Sequence, residues 1–289
     1  MLEFQRIWRH FKRAPTVIGA ALVVLVLFGL ALIGPWLAPH NPYDLTAFSL
    51  ADGLKPPYWL KDGDSKFLLG TDEQGRDILS TIIYGLRTSF IVGICAVSLS
   101  LAFGSVMGLL AGFYGGFIDA VISRISDMML SFPAFLMTLL LLGILKSKGW
   151  LTVVLAISVI FWVRYARVMR GNVLSEKSLD YVDAARALGA GHCRIMFIHL
   201  MPNAVTTLFV IAAVDLAMVI VLESTLSFLG VGVPLTTPSL GMLIASGYQL
   251  LYAGIWWIVL FPGLVLALLV LAINILGDWL RQELNPRLV

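Results

Sequence analysis

Chemistry on a polypeptide needs nucleophiles, acids or metal ligands at compatible spacing, and this sequence keeps its few candidates apart. Four histidines (His10, His40, His192 and His199) are scattered over three segments, and two cysteines (Cys95 and Cys193) lie far from each other. No spacing fits a metal site, and none of H-E-x-x-H, G-x-S-x-G or the phosphate-cradling G-x-x-x-x-G-K-[ST] occurs. Asp62-Gly-Asp64 opens like a calcium loop but lacks the third ligand and the closing glutamate. The acids set inside apolar stretches are Asp215 and Glu223. Eight residues of helix separate them by about 12 Å of rise, too far for a proteolytic dyad. The sequence predicts no catalytic residue, no metal site and no cofactor bound by this chain. Asp215 and Glu223 are instead candidates for lining a pathway or for hydrogen bonding inside a helix bundle, because a charge at the centre of a membrane helix needs a partner or water.

Two polar clusters suit contact with partners. Asp72, Arg76 and Asp77 can fix a turn by local charge pairing and stand in a long acidic loop, which makes them candidates for docking. The second cluster runs from Ser178 to Asn203. Ser178 is placed to cap a helix whose first turns hold Asp180 and Asp183, where the helix dipole favours acids. Tyr181, Ala184, Ala185 and Leu188 share one face of that helix. Gly189 and Gly191 end it, and a further turn or two leads to Pro202 at the start of the next long helix. The expected product is a short helix pair with a small-residue face that a partner could grip.

The elements that hold these clusters follow from charge. Only 13% of residues are charged and 59% are apolar, against roughly 25% and 45–50% in soluble proteins. About 20 apolar residues span a bilayer as a helix. Charge-free windows predict six spans, near 17–37, 88–112, 126–146, 150–168, 204–228 and 255–276. The fourth must continue through Arg164 and Arg167. The chain then divides into an amphipathic segment 1–16, a first span 17–37, an outer loop 38–87 and a core 88–289 that contains an inner loop 169–203. Phe4, Ile7, Trp8 and Phe11 give the N-terminal segment one apolar face suited to the membrane interface. Basic residues crowd the N-terminal tail and the stretch after the fourth span, which places both termini in the cytoplasm. The net charge of +3 is a consequence of that bias rather than a nucleic-acid footprint. Gly104, Gly108, Gly112 and Gly116 repeat every four residues, a helix-packing stripe. Gly230, Gly232, Pro234, Pro238 and Gly241 make the connection before the last span irregular, a candidate lining or gate.

Asp183-Ala184-Ala185, Gly189, and then His199, Leu200, Met201 and Pro202 resemble the E-A-A-x3-G-x9-I-x-L-P motif of ABC importer permeases. His199 and Met201 depart from the Ile and Leu of that motif, and the stretch is similar to the H-x-L-P-N form of the dipeptide/oligopeptide/nickel branch. Leu69 to Asp77 with Tyr84, Gly85 and Arg87, Glu223 to Gly232, and Asn274, Gly277, Asp278, Arg281 and Pro286 resemble further segments of that branch, in its C-type subunit. The resemblance implies an all-α membrane fold with six transmembrane helices. It implies pairing with a homologous B-type permease subunit, two ABC ATPase subunits that carry ATP and Mg, and an external substrate-binding protein. It implies a bacterial inner-membrane location, with Tyr181, Asp183, Ala184, Ala185, Leu188, Gly189, His199 and Pro202 coupling to the ATPase. Dipeptides or oligopeptides are the expected substrates, with nickel, glutathione or opines as alternatives. An ion-coupled secondary transporter using Asp215 or Glu223 is a rival reading.

Overall fold

The computed structural model describes residues 10–43, 49–145, 149–234 and 236–283, so the N-terminal residues Phe4, Ile7 and Trp8 and the C-terminal Pro286 lie outside the described residues. The chain is built from helices: α1 Pro15–Leu37, α2 Ile78–Tyr114, α3 Gly116–Leu130, α4 Ala134–Leu145, α5 Trp150–Glu176, α6 Asp180–Ala187, α7 Met201–Phe228, α8 Leu240–Tyr248 and α9 Trp257–Glu283. Five helices are long and apolar enough to cross a membrane, counting α7 with the helical residues from His192 that precede it. Among the described residues the sixth candidate is a bent pair, α3 and α4, which meet at 94°.

That bend corrects the expected straight span at 126–146. Pro133 has no N–H to continue the ladder and restricts the residue before it, so the helix stops at Leu130 and restarts at Ala134. The 12 residues of α4 rise only about 18 Å. α3 lies against α5 through Asp119–Arg170 (2.5 Å) and Asp127–Arg167 (2.5 Å). The second span also starts earlier than its hydropathy suggests. Asp77 caps α2, its Oδ2 accepting from the Ser80 N–H at 2.9 Å and the Ser80 hydroxyl at 2.5 Å.

α2 and α5 are the central pair. A side-chain carbon at Gly104 or Gly108 would strike the Trp162 or Ala166 carbonyl oxygen, and one at Gly112 would crowd Val173. Lipid supplies no hydrophobic drive between helices, so this backbone approach and cross-helix hydroxyls must. Ser158 donates to the Ala96 carbonyl at 3.2 Å and Ser100 to the Ser158 carbonyl at 3.4 Å. Gly116 does not join the stripe. It begins α3 with φ of 51° and faces open space. Around this pair, one apolar cluster joins α1, α2, α7, α8 and α9, and another joins α2, α4, α5 and α7. A third collects Leu109, Met169, Val173, Val182, Ile195 and Leu208 at the end that bears α6.

Candidate functional site

At that end, α6 is an eight-residue helix held by one side chain. Val182 is fully buried among Met169, Val173 and Ile195. The residues on its other sides face out: Tyr181 is 37% exposed and Leu188 89%, with Asp183 and Ala184 exposed and Ala185 half-buried. The expected face is therefore present, and the anchor that orients it is Val182, which the motif did not single out. Tyr181 is also tied down. Its hydroxyl donates to Glu176 at 2.5 Å and accepts from Asn203 at 3.4 Å. Burial, then the hydrogen bond to Glu176, hold its phenol above the ordinary value.

The ends of α6 depart from expectation. Leu179 occupies the N-cap in extended backbone, while the Ser178 hydroxyl donates back to the Ser175 carbonyl at 3.0 Å. Gly189 ends the helix with φ of 80°, a left-handed position that favours glycine. Its N–H donates to the Arg186 carbonyl at 2.9 Å, and the Ala190 N–H to the Ala185 carbonyl at 3.0 Å, a Schellman closure. Gly191 starts the next helix rather than ending this one. Pro202 stands in the first turn of α7, as expected, where its missing N–H breaks no helical bond. Ile195–Leu200, including half-buried His199, is π-helical, and the wider turn lets the chain run on through the proline.

At the opposite end, the 49–77 loop closes on itself. Asp72 Oδ1 accepts the Gln74 and Arg76 N–H groups at 2.9 Å, and the Arg76 Nε donates to Asp72 Oδ2 at 2.7 Å. Asp72, Arg76 and Asp77 are buried (2%, 7% and 2% exposed). Their charges are spent on the turn and on capping α2, while Tyr58, Trp59 and Leu68 of the same loop are exposed. The loop is tied to α9 by the Trp257 indole N–H, which donates to the Thr71 carbonyl at 3.3 Å. Lys55 bridges Asp52 at 2.6 Å and Asp64 at 3.1 Å.

Asp215 and Glu223 are both fully buried in α7, and their surroundings differ. Asp215 is met by the Arg164 guanidinium from α5, which reaches it from a half-exposed position beside Met218. Glu223 meets hydroxyls: Ser227 donates at 2.8 Å, Ser89 from α2 at 3.0 Å and Ser224 at 3.4 Å. Gly241 lets α8 press onto the Ser224 backbone beside this cage. Ser89 is 134 residues from Glu223, so no local signal in the sequence could have found it.

A membrane bundle with a short, outward-facing helix at one end is the architecture of an ABC importer permease. The solved inward-facing methionine ABC transporter MetNI has a chain that superposes with a TM-score of 0.53 at 21% identity, covering 72% of this chain and 97% of that one, a likeness of fold. Sequence goes further. Residues 104–289 match the binding-protein-dependent transport system inner membrane component, and residues 3–57 match the N-terminal TM domain of oligopeptide transport permease C. The chain belongs to this family of importer permeases. It is 40% identical to the di/tripeptide transport system permease protein DppC of Pseudomonas aeruginosa, over 97% of this chain and 91% of that one. It is 41% identical to the dipeptide transport system permease protein DppC of Escherichia coli K12 (100% and 94%), and 35% identical to the glutathione transport system permease protein GsiD of Pectobacterium atrosepticum (99% and 91%).

Proposed function

We propose that this chain forms half of the membrane path of an ATP-driven importer of short peptides and passes the motion of an ATPase subunit to that path through α6. A B-type permease completes the path, two ATPase subunits bind and hydrolyse ATP with Mg, and an external binding protein delivers the substrate. Both termini and α6 face the cytoplasm of a bacterial inner membrane, in keeping with the basic residues around them. The observation that carries this reading is Leu188. An apolar side chain 89% exposed at the tip of a helix fixed by buried Val182 is suited to a partner's groove, and it can be changed without touching the core. Peptides are the substrate class because the relatives named above carry dipeptides, tripeptides and glutathione by name. The ion-coupled rival needs a carboxylate open to an ion; the guanidinium of Arg164 already meets Asp215, and Glu223 is fully buried with Ser89, Ser224 and Ser227 donating to it.

The test is Leu188→Glu, beside Ala184→Arg, measured as co-purification of the ATPase and peptide-stimulated ATP hydrolysis in liposomes. Both variants are expected to assemble with the partner permease and to lose the ATPase. Full retention of both signals would remove α6 as the coupling element.

A further inference from the structure

A cavity of about 240 Å³ opens at the end of the bundle that carries the 49–77 loop. Four separate parts of the chain wall it: Tyr43 beyond α1, Tyr84, Arg87 and Thr88 on α2, Trp150 at the start of α5, and Thr237 before α8. Tyr43 and Tyr84 meet edge to face at 5.5 Å, and the Tyr84 hydroxyl donates to the Pro35 carbonyl at 3.4 Å, so this corner is fixed by α1 as well as α2.

Arg87 is the feature that the fold does not use. The three arginines of α5 each face an acid: Arg164 meets Asp215, Arg167 meets Asp127 and Arg170 meets Asp119. Arg87 is exposed and has no carboxylate partner among the described residues. Burial holds the Tyr43 phenol above its ordinary value, with Arg87 pulling partly the other way. The phenol is therefore neutral at physiological pH and leaves the guanidinium charge uncancelled. A planar guanidinium binds a carboxylate through two parallel hydrogen bonds. Aromatic rings beside it offer apolar surface and exclude water. The Thr237 hydroxyl can donate to or accept from an amide, and the Thr88 hydroxyl, which donates to the Tyr84 carbonyl at 3.2 Å, can accept from one. Full ligand pockets run to roughly 300–1,000 Å³, so this cavity suits one end of a molecule.

We propose that the cavity at Arg87 is a subsite that receives the terminal carboxylate of the transported peptide at the mouth of the path; this rests on the peptide-import reading above. A lipid phosphate could supply a related anion, and basic pockets between helices do take lipid head groups, so the lipid composition is varied in the test.

The experiment uses the full importer, with its partner permease, ATPases and binding protein, in vesicles of zwitterionic lipid. A dipeptide with a photoreactive side chain is supplied on saturated binding protein, and labelled residues are mapped by mass spectrometry. Label is expected at 84–91 or at Trp150. Arg87→Gln should reduce both labelling and uptake about tenfold, the equivalent of one charge-assisted hydrogen bond. Arg87→Lys should restore part of each, and the amidated dipeptide should label weakly in the unaltered protein. Equal labelling by the amide would overturn the carboxylate assignment. Uptake without label at these residues, or an Arg87→Gln defect confined to vesicles containing anionic lipid, would overturn the subsite while leaving peptide import intact. Failure of any di- or tripeptide to enter, with ATP hydrolysis still coupled to the binding protein, would instead sink the peptide reading and the subsite with it.

Discussion

The 49–77 loop and the 178–203 segment each contain a short charged motif and use it in opposite ways. Each motif joins acids to an arginine and a glycine with positive φ: Asp72, Asp77, Arg76 and Gly75 in one, Asp180, Asp183, Arg186 and Gly189 in the other. In the loop, the side chains of Arg76 and Asp72 are 8% and 3% exposed; in the segment, those of Arg186 and Asp183 are 46% and 66% exposed. An ion pair one turn apart is thus a structural core in one place and a solvated surface in the other. Burial, rather than residue type, decides which motif residues are available to a partner.

The largest effect that could break this comparison is Arg76→Ala. It strands Asp72 in a buried site, and removing one partner of a buried pair is destabilising by about 3–5 kcal/mol. The expected readout is a lower melting temperature of the purified permease pair and new protease cleavage within 49–77. The double variant Asp72→Ala/Arg76→Ala should recover part of the loss. Next comes Gly189→Ala, which forces a side chain into the left-handed region at about 1–2 kcal/mol. Thermal unfolding should register it, and ATPase co-purification should fall because the tip of α6 is displaced. Asp77→Ala removes the cap of α2 for about 1 kcal/mol, visible as a small shift in the same melting curve with coupling unchanged. The smallest is Arg186→Ala. An exposed pair of this kind is worth about 0–1 kcal/mol, so melting should move little. If Arg186→Ala matched Arg76→Ala, burial would not be the deciding variable.

Much of this architecture was legible because lipid imposes a simple rule: spans must lack charge. The rule failed where a helix is solvated by protein. Ser80, Thr81, Thr88 and Ser89 are buried against neighbouring helices, so α2 begins ten residues before the hydropathy of its span suggests. It failed again at Pro133, which sits in an apolar window whose composition says nothing about its direction. The exposed face of α6 was readable from Tyr181, Ala184 and Leu188, whereas its anchor Val182 was not, because its partners Val173 and Ile195 come from other helices. Arg164 was visible as a charge inside a span, but its pairing with Asp215 crosses 51 residues and needed the fold.

The glycine contacts between α2 and α5 bear on how stiff the molecule is. α2 has 37 residues and is about 55 Å long. It is seamed to α5 along Gly104, Gly108 and Gly112, where the neighbouring atoms include α5 backbone and the Cβ atoms of Tyr165, Met169 and Val173. One end of the seam rests on the Val173–Val182 contact beneath α6, and the other is clamped by Asp77 to the salt-bridged turn of the 49–77 loop. If α6 couples as proposed, a tilt imposed there would reach the far surface as a rigid-body displacement. The irregular backbone that such a movement could bend lies outside this seam, at the break beside Pro133 and in the π-helical turn at Ile195–Leu200.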